Sequence, residues 1–207
     1  MASSGALRRD DGGLLTEKVR FPNEDGDALS GVMVSRGGGG EEAKVDRRGG
    51  APQAHGVQPK RGGRVVVLLH GLYQHKNINM LRPYGARMAA DADLDVSTFR
   101  FDCRGLGESE GTTSFTPHYI NLADLEAAIA YLEGPERQME VVCIFGYSAG
   151  GNVAVMYAAK HPGHVPFVTV HSSRFTMDGI RATLQPHEVR QPTSPGAAHT
   201  PVPYSRM

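Results

Sequence analysis

Segments of strand length alternate with helix-like segments through the middle of the chain. The strand-like segments lie at 65–69, 96–101, 141–145 and 165–171. Two of them, 65–69 and 141–145, are continuous apolar runs, which are typical of strands buried on both faces of a parallel sheet. The alternation predicts an α/β fold with a doubly wound, mainly parallel sheet.

Helices are indicated between these strands by apolar spacing and by helix-breaking residues. One predicted helix carries a single apolar stripe, formed by Leu122, Leu125, Ile129 and Leu132. A second is expected to begin at Ala149 and to end near Lys160, because Pro162 and Gly163 stop it. A third is expected to carry Pro83 in its first turn, a position that tolerates proline.

Two further strands, at 17–21 and 29–34, are predicted ahead of this alternation. Asp25 and Gly26 lie between them, and glycine accepts the positive φ that a tight hairpin turn requires. We therefore expect an antiparallel hairpin near the start of the fold.

Three segments lack the apolar residues of a packed core. Residues 36–63 are rich in glycine and scattered charge, so we expect a disordered surface insertion that buries too little surface to offset its chain entropy. Residues 185–207 are dense in proline, which removes backbone donors, and we expect a disordered tail. Residues 1–13 are expected to be a disordered N-terminus. These boundaries leave a core at 14–184.

Charge and cysteine content narrow the function classes. Lys and Arg together number 22, as do Asp and Glu, which argues against a nucleic-acid binder driven by phosphate contacts. Cys103 and Cys143 imply no disulfide framework, so we expect reduced thiols in an intracellular, cytoplasmic protein. No apolar run has transmembrane length, and the N-terminus lacks the apolar region of a secretory signal. Organelle targeting by the N-terminus stays an alternative.

A serine lies between a predicted strand and a predicted helix, in the pattern G-x-S-x-G at 146–150. In this context the motif predicts a sharp turn that exposes the oxygen of Ser148. Side chains at Gly146 or Gly150 would collide with the neighbouring strand or helix, so glycine leaves room for the turn. The turn also places the serine at the positive end of a helix dipole. Ser148 is therefore the candidate nucleophile.

Three ordered blocks, at spacings that fit the strands, resemble the α/β-hydrolase fold. They are LLHGL at 68–72, FRFDCRGLGES at 99–109 and GYSAGG at 146–151. Within that fold the chain is similar to the group of esterases, monoacylglycerol lipases and serine aminopeptidase-like hydrolases. The segment 168–175 also resembles the one at the strand after the serine turn, and the resemblance covers roughly 17–180.

The resemblance implies acyl transfer at Ser148. The serine would attack the carbonyl carbon of a small-molecule carboxylic ester or amide and form an acyl-enzyme. The backbone N–H groups of Leu72 and Ala149 would then form the oxyanion hole that stabilises the developing negative oxygen. Acyl transfer by this route needs no cofactor, and the sequence shows no cluster with metal-ligand spacing.

Three other polar residues of the matching blocks have structural roles in proteins of this fold. The resemblance implies that His70 shapes the oxyanion loop and does not act as the base. Asp102 and Arg104 are interpreted as residues that fix the turn after their strand.

The general base and its carboxylate are not assigned by the sequence. In this fold Asp or Glu follows the serine and His comes last. Asp178 with His187 or His199 preserves that order, but a disordered tail does not hold a base within hydrogen-bond reach. The remaining histidines after the serine are explained as helix-end or strand-end residues: His161, His164 and His171.

The hydrolase core is expected to be incomplete at its C-terminus, since the strand–helix units that would carry the acid and the histidine are missing after residue 184. Three hypotheses stand. The chain is a serine hydrolase represented by an N-terminal portion or a truncated product; it is a catalytically inactive relative that serves as a binding or interaction module; or it is an altered splice or reading-frame product that does not fold stably. The sequence specifies neither the substrate identity nor the oligomeric state.

Overall fold

A mixed sheet flanked by helices forms the described part of the chain. The computed structural model describes residues 3–9, 12–37, 61–114 and 117–172. Its strands are β1 Ser3–Arg9, β2 Leu14–Pro22, β3 Ala28–Arg36, β4 Arg64–Leu69, β5 Val96–Phe101, β6 Glu140–Tyr147 and β7 Phe167–His171. Its helices are α1 Leu81–Ala90, α2 His118–Glu133 and α3 Ala149–Lys160.

The strands lie in the order β1-β2-β3-β5-β4-β6-β7. The pairs that involve β1, β2 and β3 are antiparallel, whereas β5, β4, β6 and β7 run parallel to one another. From β4 the chain moves to β5 on one side and then returns to β6 on the other. A reversal of this kind opens a crevice at the carboxyl ends of the two strands, where doubly wound sheets bind ligands.

Each face of the sheet is covered by its own apolar cluster. The larger cluster joins buried residues of α2 and α3 to the sheet, with Phe21, Phe99 and Phe101 at its centre. On the other face, α1 packs through Leu81 and Ala89 against residues of β3 and β4. Apolar burial on both faces explains why the sequence of β4 is a continuous apolar run.

The predicted fold class is confirmed, since the parallel strands alternate with helices and the sheet is wound in both directions. The hairpin, the central strands and all three helices occur where the sequence predicts them, with ends shifted by a few residues. The apolar stripe of α2 is buried, since its four side chains are at most 2% exposed: Leu122, Leu125, Ile129 and Leu132.

The expectation of a disordered N-terminus at 1–13 is wrong for Ser3–Arg9. This segment forms β1, which pairs antiparallel with β2 from Ser3 opposite Arg20 to Arg9 opposite Leu15. The pairing uses backbone groups, which any residue supplies, and the segment covers the otherwise open edge of β2. Its sequence carries no apolar pattern that would have indicated a strand.

Two predicted disordered segments lie largely or wholly outside the described residues. Of the insertion at 36–63, residues 38–60 are not described, and the tail at 185–207 is not described at all. The core boundary at residue 184 lies outside the description as well, so all three stay predictions. In the part of the chain that is described, no helix has the length and apolar character needed to cross a bilayer.

Candidate active site

The crevice between the carboxyl ends of β4 and β6 brings the sequence motifs together. The strand β4 runs into His70 and Gly71, and β6 runs into Ser148. A Cβ added to Gly71 would lie only 3.1 Å from the Cβ of Ser148, so the loop after β4 is in direct contact with the serine.

Ser148 occupies a strained turn between β6 and α3. Its backbone φ is 51° and its ψ is −122°, a combination that residues other than glycine rarely adopt. The turn is held from both sides: the backbone N–H of Ser148 donates to the carbonyl oxygen of His171 at 2.8 Å, and its own carbonyl accepts from Gly151 N–H at 2.9 Å. A non-glycine residue in this conformation persists only where its surroundings over-determine it.

The two glycines of the motif are required by close backbone contacts. A Cβ on Gly146 would lie 2.5 Å from the carbonyl oxygen of Gly150, where α3 crosses over β6. A Cβ on Gly150 would lie 2.6 Å from the carbonyl oxygen of His70. Backbone atoms at these distances cannot give way as a flexible side chain can, which is why the turn needs glycine at both positions.

His70 fixes the loop that faces the serine. Its Nε2 accepts a hydrogen bond from Cys103 N–H at 3.1 Å, and its Nδ1 donates to the carbonyl oxygen of Gly71 at 2.8 Å. Burial lowers the pKa of His70, which favours the neutral ring that this donor and acceptor pattern requires. Both ring nitrogens are engaged, in agreement with the prediction that His70 shapes the loop and is not the base.

Hydrogen bonds fix the orientation of the peptide group between Gly71 and Leu72. The carbonyl oxygen of Gly71 accepts from Gln74 N–H at 3.2 Å, and Gly71 N–H donates to Gln74 Oε1 at 3.0 Å. Because C=O and N–H point in opposite directions in a trans peptide, anchoring the Gly71 carbonyl directs the Leu72 N–H away from that anchor.

Asp102 organises the turn after β5 through a buried ion pair. Its carboxylate contacts Lys76 Nζ and accepts from the backbone N–H groups of Lys76 at 2.6 Å and Glu108 at 2.9 Å. The ammonium of Lys76 also bonds Glu108 at 2.7 Å, and this hydrogen bond holds the pKa of Glu108 at about 2. The network joins the loop after β4 to the turn after β5 and agrees with a turn-fixing role for Asp102.

Arg104 joins the same turn to α2. Its guanidinium Nε donates to Asp124 at 2.8 Å and its backbone N–H donates to the other oxygen of that carboxylate at 2.7 Å. Asp25, in the hairpin turn, contacts the guanidinium as well. The side chain is engaged with carboxylates of two elements, which agrees with its interpretation as a structural residue.

A cleft of about 520 Å³ opens next to the serine, and we call it the 74–80 cleft. Tyr147 forms one wall and directly precedes Ser148. The remaining lining comes from one segment of the loop after β4: Gln74, His75, Asn77, Ile78, Asn79 and Met80. Nothing in the sequence of this segment predicted a cleft, since asparagine and glutamine in a loop carry no distinctive signal.

The described histidines after the serine lie in different environments. His161 contacts Glu126 at 2.5 Å and His164 contacts Tyr157 at 2.7 Å, both at the end of α3 opposite Ser148. A twelve-residue helix is about 18 Å long, which places both rings far from the serine oxygen. The ring of His171 stacks against Tyr147, with centroids 6.1 Å apart.

The residues considered for the triad acid and histidine are not described by the structure. Asp178, His187 and His199 all fall within 173–207, outside the described residues. Their assignment stays open, as it was from the sequence. The structure brings together Ser148, the start of α3 and the loop that contains Leu72.

A sequence model of the family described as serine aminopeptidase, S33, matches residues 60–185. The match takes in more than half of the chain, including β4, the loop after it and the Ser148 turn. The chain belongs to the serine aminopeptidase S33 family. Members of this family are α/β-hydrolases, in agreement with the mixed, mainly parallel sheet.

Solved esterase structures share the fold of this S33 family member. An esterase of Pyrococcus furiosus is 19% identical with a TM-score of 0.59, over 84% of this chain and 57% of the esterase. A cold-adapted esterase from an Arctic intertidal metagenomic library is 16% identical with a TM-score of 0.56, over 86% of this chain and 67% of that one. At these identities the likeness shows the fold alone. The chain spans little more than half the length of the Pyrococcus esterase.

Proposed function

We propose that the chain hydrolyses a carboxylic ester or small amide through an acyl-enzyme at Ser148. The observation that carries the proposal is the positive φ of 51° at a serine that joins a parallel strand to a helix. This conformation costs about 1–3 kcal/mol, and such strain is concentrated at functional sites. It lifts the side chain out of the sheet at the switch point between β4 and β6, where a substrate can reach it.

Two backbone N–H groups support the same chemistry. Attack by the serine oxygen on a carbonyl carbon turns the carbonyl oxygen into an oxyanion, which needs donors already in place. Ala149 N–H begins α3, at the positive end of its dipole, and Leu72 N–H belongs to the peptide that His70 and Gln74 orient. We assign these two groups to the oxyanion hole.

The catalytic cycle also needs a proton acceptor. The serine proton must pass to a base and then to the departing alcohol or amine, after which water attacks the acyl-enzyme and releases the acid. The acid and the base stay unassigned: Asp178 with His187 or His199 preserves the order of the fold, but all three residues lie outside the described part of the chain. The esterases with the same fold motivate ester hydrolysis as the first activity to test.

Labelling with a fluorophosphonate tests the proposal directly, since this probe reacts covalently with activated serines. We expect the full chain to label once, and we expect Ser148→Ala to abolish the label while the far-ultraviolet circular dichroism spectrum stays unchanged. Ser109→Ala is a control for a second serine, because the Ser109 hydroxyl is engaged in a hydrogen bond to the Asp102 carbonyl at 2.6 Å, in the turn after β5.

The opposite result has a clear meaning. A chain that melts cooperatively but does not label would contradict the proposed catalysis and favour the inactive relative that serves as a binding module. A chain without a cooperative melt would favour the unstable splice or reading-frame product.

A further inference from the structure

Three polar side chains of the 74–80 cleft, from Gln74, His75 and Asn77, use an acceptor atom inside the protein. Gln74 Oε1 accepts from Gly71 N–H at 3.0 Å, and Asn77 Oδ1 accepts from the Nε of the buried Arg100 at 3.4 Å. His75 Nδ1 accepts from Asn77 N–H at 3.3 Å. Three neighbouring polar residues thus each direct an acceptor towards the loop or the sheet.

The donor atoms of the same side chains are the groups left for the cleft. An amide whose oxygen is engaged presents its NH₂ group on the other side, and an imidazole that accepts at Nδ1 carries its proton on Nε2. Gln74 Nε2, Asn77 Nδ2 and His75 Nε2 are therefore donors on residues that line the cleft. The other lining residues are Ile78 and Met80, which are apolar, Tyr147, which has a hydroxyl, and Asn79, whose amide has both a donor and an acceptor.

A cavity in which three neighbouring side chains offer donors is complementary to a ligand group that accepts hydrogen bonds. A carbonyl or carboxylate oxygen would satisfy the donors, whereas a saturated alkyl group would remove water from them and return no hydrogen bond, which is costly. The volume of about 520 Å³ is within the range of small-molecule sites. An added Cβ on Gly71 would lie 2.6 Å from Gln74 Oε1 and 3.1 Å from Ser148 Cβ, so the Gln74 end of the cleft is close to the serine.

We propose that the 74–80 cleft is a substrate subsite that selects a group bearing a hydrogen-bond-accepting oxygen, such as a ketone or carboxylate, over a saturated alkyl group of the same shape. This inference rests on the proposed function, because the cleft is a substrate subsite only if Ser148 is the nucleophile. It adds the substrate class: short oxo-acyl or carboxyacyl esters and amides in place of simple fatty esters.

A pair of esters of matched shape tests the selectivity. Ethyl levulinate carries a ketone oxygen where ethyl 4-methylpentanoate carries a methyl group. With the full chain carrying Ser148→Ala, to prevent turnover, we expect the side-chain NH₂ resonances of Gln74 and Asn77 to shift on addition of the first ester and not the second. Equal shifts with both esters, or shifts confined to other residues, would overturn the inference.

A charge-changing variant tests the donors themselves. Asn77→Asp keeps the shape and the oxygen that faces Arg100 but replaces the NH₂ donor with a carboxylate oxygen. We expect it to weaken ethyl levulinate binding about five-fold, the size of one lost hydrogen bond. Gln138→Glu makes the same chemical change at an exposed site beyond α2, at the amino-terminal edge of the sheet, and should bind as the parent does. Unchanged affinity of Asn77→Asp would also overturn the inference.

The two proposals fail in different ways. Absence of fluorophosphonate labelling in the folded chain contradicts the nucleophile at Ser148, whereas the NMR titration reports the ligand preference of the cleft without any reaction. If the chain is labelled but binds the two esters equally, the proposed hydrolase activity is still supported and the proposed subsite is contradicted. Labelling together with selective shifts at Gln74 and Asn77 supports both.

Discussion

The strain at Ser148 is maintained by the backbone contacts of two glycines. Gly146 lets α3 cross β6 at backbone distance, and Gly150 lets the helix meet the carbonyl of His70. The same contact brings the loop after β4 to the serine. The position of the proposed nucleophile relative to the proposed oxyanion donors therefore depends on having glycine at both positions.

Gly150→Ala should disrupt this arrangement. The added Cβ would lie 2.6 Å from His70 O and 2.8 Å from Leu69 O, so the start of α3 must move away from β4. We expect a loss of about 1–3 kcal/mol in the free energy of unfolding, typical of overpacking, together with loss of fluorophosphonate labelling. Urea denaturation and labelling measure the two effects.

Gly163→Ala is the matched control for that substitution. Its φ is 79° and an added Cβ would meet nothing within 4 Å, so only the backbone conformation is penalised, by about 1–2 kcal/mol. Labelling of Ser148 should survive. If Gly150→Ala labelled as well as Gly163→Ala, the close contact with His70 would not be what positions the nucleophile.

At the candidate site, motifs could be predicted and the contacts around them could not. The G-x-S-x-G pattern predicted the turn at Ser148, because strand, glycines and helix follow one another locally in the chain. Lys76, which is 1% exposed, was missed since a lysine in a loop normally indicates solvent. Only the fold brings it between Asp102 and Glu108, which lie 26 and 32 residues away.

A further buried ion pair joins β2 to the turn between α2 and β6. Arg137, in the turn between α2 and β6, donates to both carboxylate oxygens of Glu17 on β2, at 2.8 and 2.6 Å. Its Nε also donates to the hydroxyl of Tyr131 at 2.7 Å. Both charged side chains are at most 4% exposed, so the pair connects the antiparallel part of the sheet to the helical layer inside the protein.

Arg137→Met should be strongly destabilising. It removes the charge but leaves Glu17 buried and unpaired, which typically costs about 3–5 kcal/mol. Replacing both partners, as Arg137→Met with Glu17→Leu, should recover much of that loss because no buried charge remains. Guanidinium denaturation of the two single variants and the double variant measures the coupling free energy.

Arg36→Met provides the control at an exposed ion pair. Arg36 contacts Asp95 at 2.8 Å, but the side chains are 37% and 68% exposed, and such pairs contribute about 0–1 kcal/mol. If Arg137→Met lowers the free energy of unfolding by no more than Arg36→Met does, then burial of Glu17 does not require its ion pair with Arg137.

Elements with apolar periodicity were predictable, and an edge strand without it was not. The stripe of α2 and the continuous runs of β4 and β6 reflect burial, which leaves its pattern in the sequence. The segment Ser3–Arg9 forms β1 by backbone pairing to β2, so its side chains carry no such pattern. The hairpin of β2 and β3 was predicted from Asp25-Gly26, where the positive φ of 88° at Gly26 agrees with the turn that glycine favours.

The response of the whole molecule to acid follows from its charge balance. At pH 7 the 22 basic and 22 acidic side chains cancel, and the nine histidines are counted as neutral. Acidification makes the chain increasingly positive and increases repulsion within the folded state. Three groups that titrate below neutral pH have lowered pKa values and add specific losses: His70 and His118 in one pH range and Glu108 in a lower one.

His70 and His118 titrate first as the pH falls. Burial lowers the pKa of both histidines in the folded protein below the ordinary value of 6.5, so the unfolded chain binds protons more readily than the folded one. Their contribution to stability is therefore complete above pH 6.5 and is lost as the pH falls from there towards the lowered pKa values. Glu108 acts later, as the hydrogen bond from Lys76 lowers its pKa from 4.5 to about 2, and its contribution is lost between those values.

The free energy of unfolding should consequently fall in two steps between pH 8 and pH 2, the second centred below pH 4.5. Glu108→Gln should lower stability at neutral pH, since Lys76 loses a charged partner, and should flatten the second step because position 108 no longer titrates. Glu136→Gln, at an exposed glutamate, should leave both steps in place. Urea denaturation at half-unit intervals of pH measures the curves. A second step that persists in Glu108→Gln would assign the acid sensitivity to charge repulsion in general, and the buried Lys76 network would then not be its source.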